Sequence, residues 1–369
     1  MSAKNKPLVR LCLDSGAFSA WLRGEKLDIK GYIRYVKELQ KYFAYYVSLD
    51  DIPGAPGVQR SKEQLSAAAE LSYKNHQIMK DAGLSPIPVL HYGESIANFE
   101  RYLKDGETHI GVGTLKDPLT DHNTVIKLNF EWLDQIFSLI TTKNGRVTVK
   151  THGFGVTKPL FLVRYPWATV DSTTWSLNSG YGSIFVPAMG RGGKPNYQQA
   201  IGVHLSDVAL SGTAPAHDFG KLGPVQQQWI VQCIEAAGVT LTQARNLPDA
   251  RRRVTLRYYM QLAASLHDNR FRARKGQSTE KPLTIDQPEI IFSTSIGSKE
   301  FSQTLTEVGA NNRLLSYYET RKRSPEQLIE YVTTGQIAST QRRNTDIAWT
   351  SEAYRNRRRK TIIRQNARG

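Results

Sequence analysis

Cysteine is nearly absent: Cys12 and Cys233 are the only two thiols in 369 residues. Two thiols exclude a cysteine-rich zinc centre, a three-cysteine iron–sulfur motif and a small disulfide-stapled fold. One bridge is open on paper, but a long chain with two distant thiols reads as reduced and intracellular. A metal would need His and carboxylate ligands. The histidines (His76, His91, His109, His122, His152, His204, His217, His267) show no paired helical spacing that suggests one. Long apolar runs are missing too; nothing approaches the roughly 18 residues of a spanning helix. The first apolar stretch, residues 8–13, is cut by Arg10 and ends at Asp14, so no secretory leader is visible. The expectation is a soluble cytoplasmic protein with no membrane partner. No Gly-x-Gly-x-x-Gly turn follows that first stretch, which weakens a dinucleotide-binding sheet, and no fixed-period repeat stands out.

Acids are the remaining shortage. Asp and Glu number 33 against 49 Lys and Arg, a formal charge of +16. A field of that sign attracts polyanions and speeds their encounter. The tail from Arg342 concentrates it, with Arg343, Arg355, Arg357, Arg358, Arg359, Lys360, Arg364 and Arg368 against Asp346 and Glu352. A second basic stretch, residues 251–275, contains Arg251, Arg252, Arg253 and Arg257 beside Tyr258 and Tyr259. Like-charge blocks are usually solvated faces or arms. In a chain this basic they read as tracks for a phosphate backbone, so the expected partner is a nucleic acid.

Hydrophobic periodicity supplies the architecture. Strand patterns fall at residues 8–14, 44–50, 87–91, 109–113, 147–152 and 168–171, and helical patterns separate the first five. Ser61 and Gln64 form a capping-box pattern before an Ala-rich helix ending near Gly83. The rhythm breaks over residues 176–288, which hold a glycine-rich hairpin candidate at 190–194 and helical stretches at 225–237 and 251–266. Strands return at 289–296 and 313–318, and a closing helix starts at Ser324-Pro325. Repeated βα units of this kind predict an α/β fold, a (β/α)8 barrel of about 250 residues with an insertion between strands 6 and 7. The barrel would use residues 1–175 and 288–335, the insertion 176–287, and the basic tail 336–369. An open doubly wound sheet is the alternative.

Polar residues gather where the strands end: Asp14; Asp50 and Asp51; His91-Tyr92-Gly93; Gly111-Val112-Gly113; His152-Gly153-Phe154-Gly155; and Asp171-Ser172-Thr173-Thr174-Trp175. In a barrel these ends surround one pocket. A lone Asp after a strand serves as a turn former or cap at least as often as a catalyst. Three acids converging in a basic protein are harder to explain that way. His91 and His152 read as hydrogen-bonded scaffold, the tyrosines of the second strand as core, and Trp167 and Trp175 as packing.

These segments resemble the tRNA-guanine transglycosylases. Asp14-Ser15-Gly16-Ala17-Phe18 is similar to their Asp-Ser-Gly-Gly-Phe motif, and Leu49-Asp50-Asp51 to their guanine-recognising Asp-Glu segment. His91-Tyr92-Gly93 falls where the family has Gln-Gln-Gly, and Val112-Gly113-Thr114-Leu115 where it has Val-Gly-Gly-Leu. His152-Gly153-Phe154-Gly155 takes the place of Met-Gly-Val-Gly, and Val170-Asp171 that of the Phe-Asp holding the nucleophile. The family's three-cysteine zinc site is missing, and Ser172-Thr173-Thr174-Trp175 replaces its Pro-Thr-Arg. The Ser15-Gly16-Ala17-Phe18-Ser19-Ala20-Trp21 and Tyr165-Pro166-Trp167 segments look like the bacteriophage DpdA branch. That resemblance implies exchange of guanine in DNA for a free 7-deazaguanine base of the preQ0 type, in the host cytoplasm. It implies Asp171 as nucleophile, Asp14 as general acid and base, and Asp50 as reader of guanine. Ser15, Tyr92, Gly93, Gly113, Thr114, His152 and Gly153 would complete the substrate site. No metal or redox cofactor is required. The competing readings are a tRNA transglycosylase without zinc, a DNA glycosylase or nucleoside hydrolase that uses water, and a non-catalytic nucleic-acid binder.

Overall fold

The structure, a computed structural model, describes residues 10–55, 58, 60–113, 122–206, 217–271, 275–285, 287–292 and 314–317. Thr114, the helix expected at Ser324-Pro325, and Arg357, Arg358, Arg359 and Lys360 of the tail lie outside those residues.

Strand and helix alternate, with α1 and α6 added to the elements that the periodicity predicts: β1 (Arg10–Leu13), α1 (Ala17–Arg23), α2 (Ile29–Leu39), β2 (Phe43–Tyr46), α3 (Lys62–Asp81), β3 (Val89–His91), α4 (Ile96–Lys104), β4 (His109–Gly113), α5 (His122–Ile140), β5 (Lys150–Phe154), α6 (Pro159–Arg164) and β6 (Thr169–Ser172). Local chemistry sets the boundaries. Ser61 Oγ accepts from the Gln64 N–H at 3.2 Å, and Gln64 Oε1 accepts from the Ser61 N–H at 3.0 Å, completing the capping box of α3. Asp28 caps α2 and Ser95 caps α4 by accepting backbone N–H groups on their side chains, without the reciprocal half of a box. α7 (Thr174–Gly180) then leads into β7 (Ser183–Met189), β8 (Pro195–His204), β9 (His217–Asp218), α8 (Pro224–Ala236), α9 (Leu241–Asn246) and α10 (Pro248–Ser265), before β10 (Glu289–Phe292) and β11 (Leu314–Tyr317).

The result is a mixed α/β fold. One sheet has the order β10-β6-β5-β4-β3 and a second the order β11-β1-β2, and every pairing in both is parallel. A parallel bridge joins Val47 to Ile87, so the β2 chain runs beside the β3 chain, and β10 lies against β11. Side chains alternate across a strand. Leu13, Leu90, Ile110, Val112 and Val170 face a large core built with Val36, Met79, Phe99, Leu133, Phe137 and Leu162 of the helices. Cys12 and Ile291 are turned the other way, into a separate small cluster with Tyr45. Burial on both faces is the habit of parallel sheets. The large core is fixed by aromatic packing: Phe137 stacks on Tyr165 at 4.6 Å and meets Trp167 edge-on at 4.9 Å.

In the insertion β7 and β8 pair antiparallel and β9 adds to the end of β8. Ile184, Val186, Val203, Ile230, Ile234 and Val254 form a second core there. α10 spans both cores, since Leu256, Tyr258 and Leu262 belong to the first. Among the described residues no helix is long and apolar enough to cross a membrane.

Candidate active site

Asp14, Asp50 and Asp171 each follow or end a parallel strand, and the structure brings them together. Asp14 follows β1 and interacts electrostatically with both Asp50 and Asp171. Burial and these two neighbouring carboxylates raise its pKa from 3.8 to about 7, against the opposing pull of hydrogen bonds from the Ser15 and Gly16 backbone. Like charges crowded in a poorly solvated site cannot all ionise cheaply, so one acid keeps its proton.

Asp50 is held from two sides. Ser15 donates its hydroxyl to Oδ1 at 2.7 Å. The His91 Nε2 stands 3.0 Å from Oδ2, at ion-pair distance but without the alignment of a hydrogen bond. Burial alone would lower the His91 pKa, but Asp50, with help from Glu94, raises it above the ordinary histidine value. His91 is therefore the ion-pair partner of Asp50. Glu94 carries the turn, accepting the His91 N–H on its side chain at 2.9 Å, and burial raises its own pKa.

Asp171 is oriented by backbone. The Gly155 N–H donates to its Oδ1 at 2.7 Å. His152 Nε2 lies 3.8 Å from the same oxygen, and His152 Nδ1 is hydrogen-bonded to Thr169 Oγ1 at 2.8 Å. Burial outweighs the attraction of Asp171 and lowers the His152 pKa, which disfavours its charged form beside the acid.

Ser15, His152 and Gly113 thus stand with the acids; a Cβ on Gly113 would lie 3.4 Å from His91 Nδ1. Tyr92 and Gly153 do not face that way. Tyr92 packs half-buried against Trp132, with ring centroids 5.4 Å apart, while its neighbour His91 meets Asp50. Gly153 makes room for packing: a Cβ there would lie 2.9 Å from Val156 and 3.1 Å from the Trp167 ring. Gly93 takes a φ of +90° in the turn after β3. Trp167 and Trp175 are buried, as their reading as packing implied. Motif reading gave His91 only a scaffold role and passed over the Gly155 N–H. Register offered a signal for His91, because its partner on β4 is Gly113.

The basic stretch on α10 divides. Arg251 is buried, its Nε bonding the Ser179 carbonyl at 2.6 Å and its Nη1 the Ala244 and Arg245 carbonyls at 2.9 Å each. That guanidinium holds α7, α9 and α10 together and does not face a phosphate, which corrects its assignment as a nucleic-acid contact. Arg252 pairs with Asp249, and Arg253 lies over Gly238. Arg257 is half-buried.

Surface depressions of about 550 and 530 Å³ flank α3, lined in part by Glu70 and Lys74 in the first and Lys62 and Glu70 in the second; neither includes the acids. Among the described residues no three His, Cys, Asp or Glu side chains are grouped to hold a metal ion. No family model and no curated protein matches the chain.

Proposed function

We propose that the chain is a transglycosylase of the DpdA type, related to the tRNA-guanine transglycosylases, which exchanges guanine in DNA for a 7-deazaguanine base. The observation that carries the reading is the unequal treatment of three converging acids. Asp14 keeps its proton to about pH 7, while Asp171 accepts a backbone N–H and Asp50 is paired with a raised-pKa histidine. Exchange at an anomeric carbon needs this division: one proton donor, one anionic nucleophile and one acceptor for the purine edge.

We infer that the strands close into a (β/α)8 barrel. The Val47–Ile87 bridge and the β10–β11 contact, one at each junction between the two parallel sheets, support closure. All three acids then stand at the carboxyl ends of strands, the face where barrels carry their chemistry.

In the first step the Asp171 carboxylate attacks C1′ and the bond from C1′ to guanine N9 breaks. Asp14 gives its proton to the leaving guanine, leaving a glycosyl ester on Asp171. In the second step the incoming base gives its N9 proton to Asp14 and attacks C1′, and the ester opens to regenerate the Asp171 carboxylate. Two displacements retain configuration. The purine must leave the helical stack to reach the acids. Asp50, when ionised, accepts from guanine N1–H and the exocyclic amine.

Nucleosides from DNA and from tRNA, incubated separately with the protein and free 7-deazaguanine bases, should be compared by mass spectrometry. Modification of DNA alone is expected. Modification of tRNA alone would assign the zinc-free tRNA enzyme, and loss of guanine without replacement would assign a hydrolase.

A further inference from the structure

The β7–β8 ribbon ends in a tip whose cations the base chemistry leaves unused. The strands pair up to Met189 and Pro195, and the Gly190 N–H bonds the Lys194 carbonyl at 2.7 Å, so the ribbon is hydrogen-bonded to its last turn. Gly192 and Gly193 make that turn with φ of +66° and +72°, a region that favours glycine, and a Cβ on either would meet nothing within 4 Å. The tip is therefore a narrow strip of backbone between two exposed cations, Arg191 and Lys194. Neither has an ion-pair partner among the described residues, whereas Arg101, Arg164 and Arg270 do. No acid occurs between Asp171 and Asp207 to offset them.

Two further features fit a groove. The register slips between Pro187, opposite Ala200, and Ala188, opposite Asn196, which pushes residues 197–199 out of the ladder. Gln198 and Gln199 are exposed in that bulge and offer amides just below the tip. At the ribbon's root, Phe185 meets the Tyr259 ring at 6.2 Å, and Tyr259 hydrogen-bonds Thr157, two residues beyond the Gly155 that orients Asp171. From Phe185 to the turn, extended strand covers about 20 Å. Half a helical turn of duplex DNA is about 17 Å.

We propose that the Arg191–Lys194 tip enters the minor groove of duplex DNA beside the base being exchanged; the DNA part of this rests on the function proposed above. The B-form minor groove is about 6 Å wide and concentrates negative potential where it narrows, which suits glycine backbone flanked by Arg and Lys. The shallow, wide minor groove of an RNA duplex offers no such fit.

The test compares the parent with the Arg191→Gln/Lys194→Gln double variant by fluorescence anisotropy on an AT-rich labelled duplex, with and without netropsin, which fills the minor groove. Between about 50 and 200 mM salt, losing two phosphate-facing cations should lower the slope of log K against log salt by about 1.8. Netropsin should weaken the parent to the level of the variant and leave the variant unchanged. Both proteins should melt at the same temperature, because the substituted side chains are exposed. An equal slope, a parent indifferent to netropsin, or no duplex binding by the parent overturns the proposal. Exchange by the parent is scored separately from nucleosides. Exchange with an unchanged slope removes the tip and leaves the enzyme; tip-dependent binding without exchange removes the enzyme and leaves the tip.

Discussion

Asp14 stores a pH-dependent cost that Asp14→Asn should expose. Its pKa rises from 3.8 to about 7 because burial, Asp50 and Asp171 all oppose its charge. A carboxyl group raised on folding binds its proton more tightly in the native state than in the unfolded chain. Its stabilising contribution is full below about pH 3.8 and is lost as the pH rises to about 7. A pKa change of one corresponds to about 1.4 kcal/mol, so the rise from 3.8 to about 7 makes the swing about 4 kcal/mol. Asparagine reproduces the neutral acid at every pH. The variant should match the parent at about pH 4 and exceed it by up to about 4 kcal/mol above neutrality. Urea titrations across that range measure the difference directly, provided the slope m is the same for both proteins. The same variant should fail to exchange guanine, because the leaving base finds no proton. A stability difference that stays constant with pH, or one that is largest in acid, would refute the assignment of Asp14 as the retained proton.

Asp171→Asn should abolish both exchange and the covalent protein–DNA species that the parent leaves on a denaturing gel when no acceptor base is supplied; an adduct mapped to another residue would overturn the nucleophile. Asp50→Ala should weaken guanine binding by about 2–5 kcal/mol. It should also let the His91 pKa fall, because the carboxylate that raises it is gone. Unaltered guanine affinity, or an unmoved His91 titration by NMR, would count against that role.

Much of the fold was legible because its signals are local. The capping box at Ser61 and Gln64, the β4 run and the glycine-rich turn of the ribbon are each specified by a few adjacent residues, and the structure contains all three. α1, α6, α7 and α9 escaped because each spans only six or seven residues, too few to display a helical period. The acids, with Ser15 and His152 beside them, were legible as strand-end residues, but the contacts of His91 and of the Gly155 N–H were not. Which of two neighbouring residues faces the site depends on the turn that ends β3, where His91, the last strand residue, meets Asp50 and Tyr92, the first turn residue, packs on Trp132. Arg251 shows the opposite limit. In sequence it belongs to a run of three arginines, yet the fold spends its guanidinium on three carbonyls. Charge counted along a chain does not separate a cation that faces solvent from one that closes a helix junction.

The placement of charge also bears on how a proton would cycle at this site under the proposed exchange. The chain is strongly cationic, with a formal charge of +16, yet it clusters three carboxylates where burial and mutual repulsion keep one of them protonated near neutrality. A catalyst whose pKa lies near the working pH gives and recovers a proton with similar ease. Base exchange uses both directions in every turnover: the proton that leaves with guanine is returned by the incoming base, so no net proton is consumed. Phosphates arriving with the substrate would raise Asp14 further. On this reading the basic exterior recruits the polyanion, while the Ser15 and Gly16 backbone hydrogen bonds restrain the rise in the pKa of Asp14 so that it can act as a base in the second step.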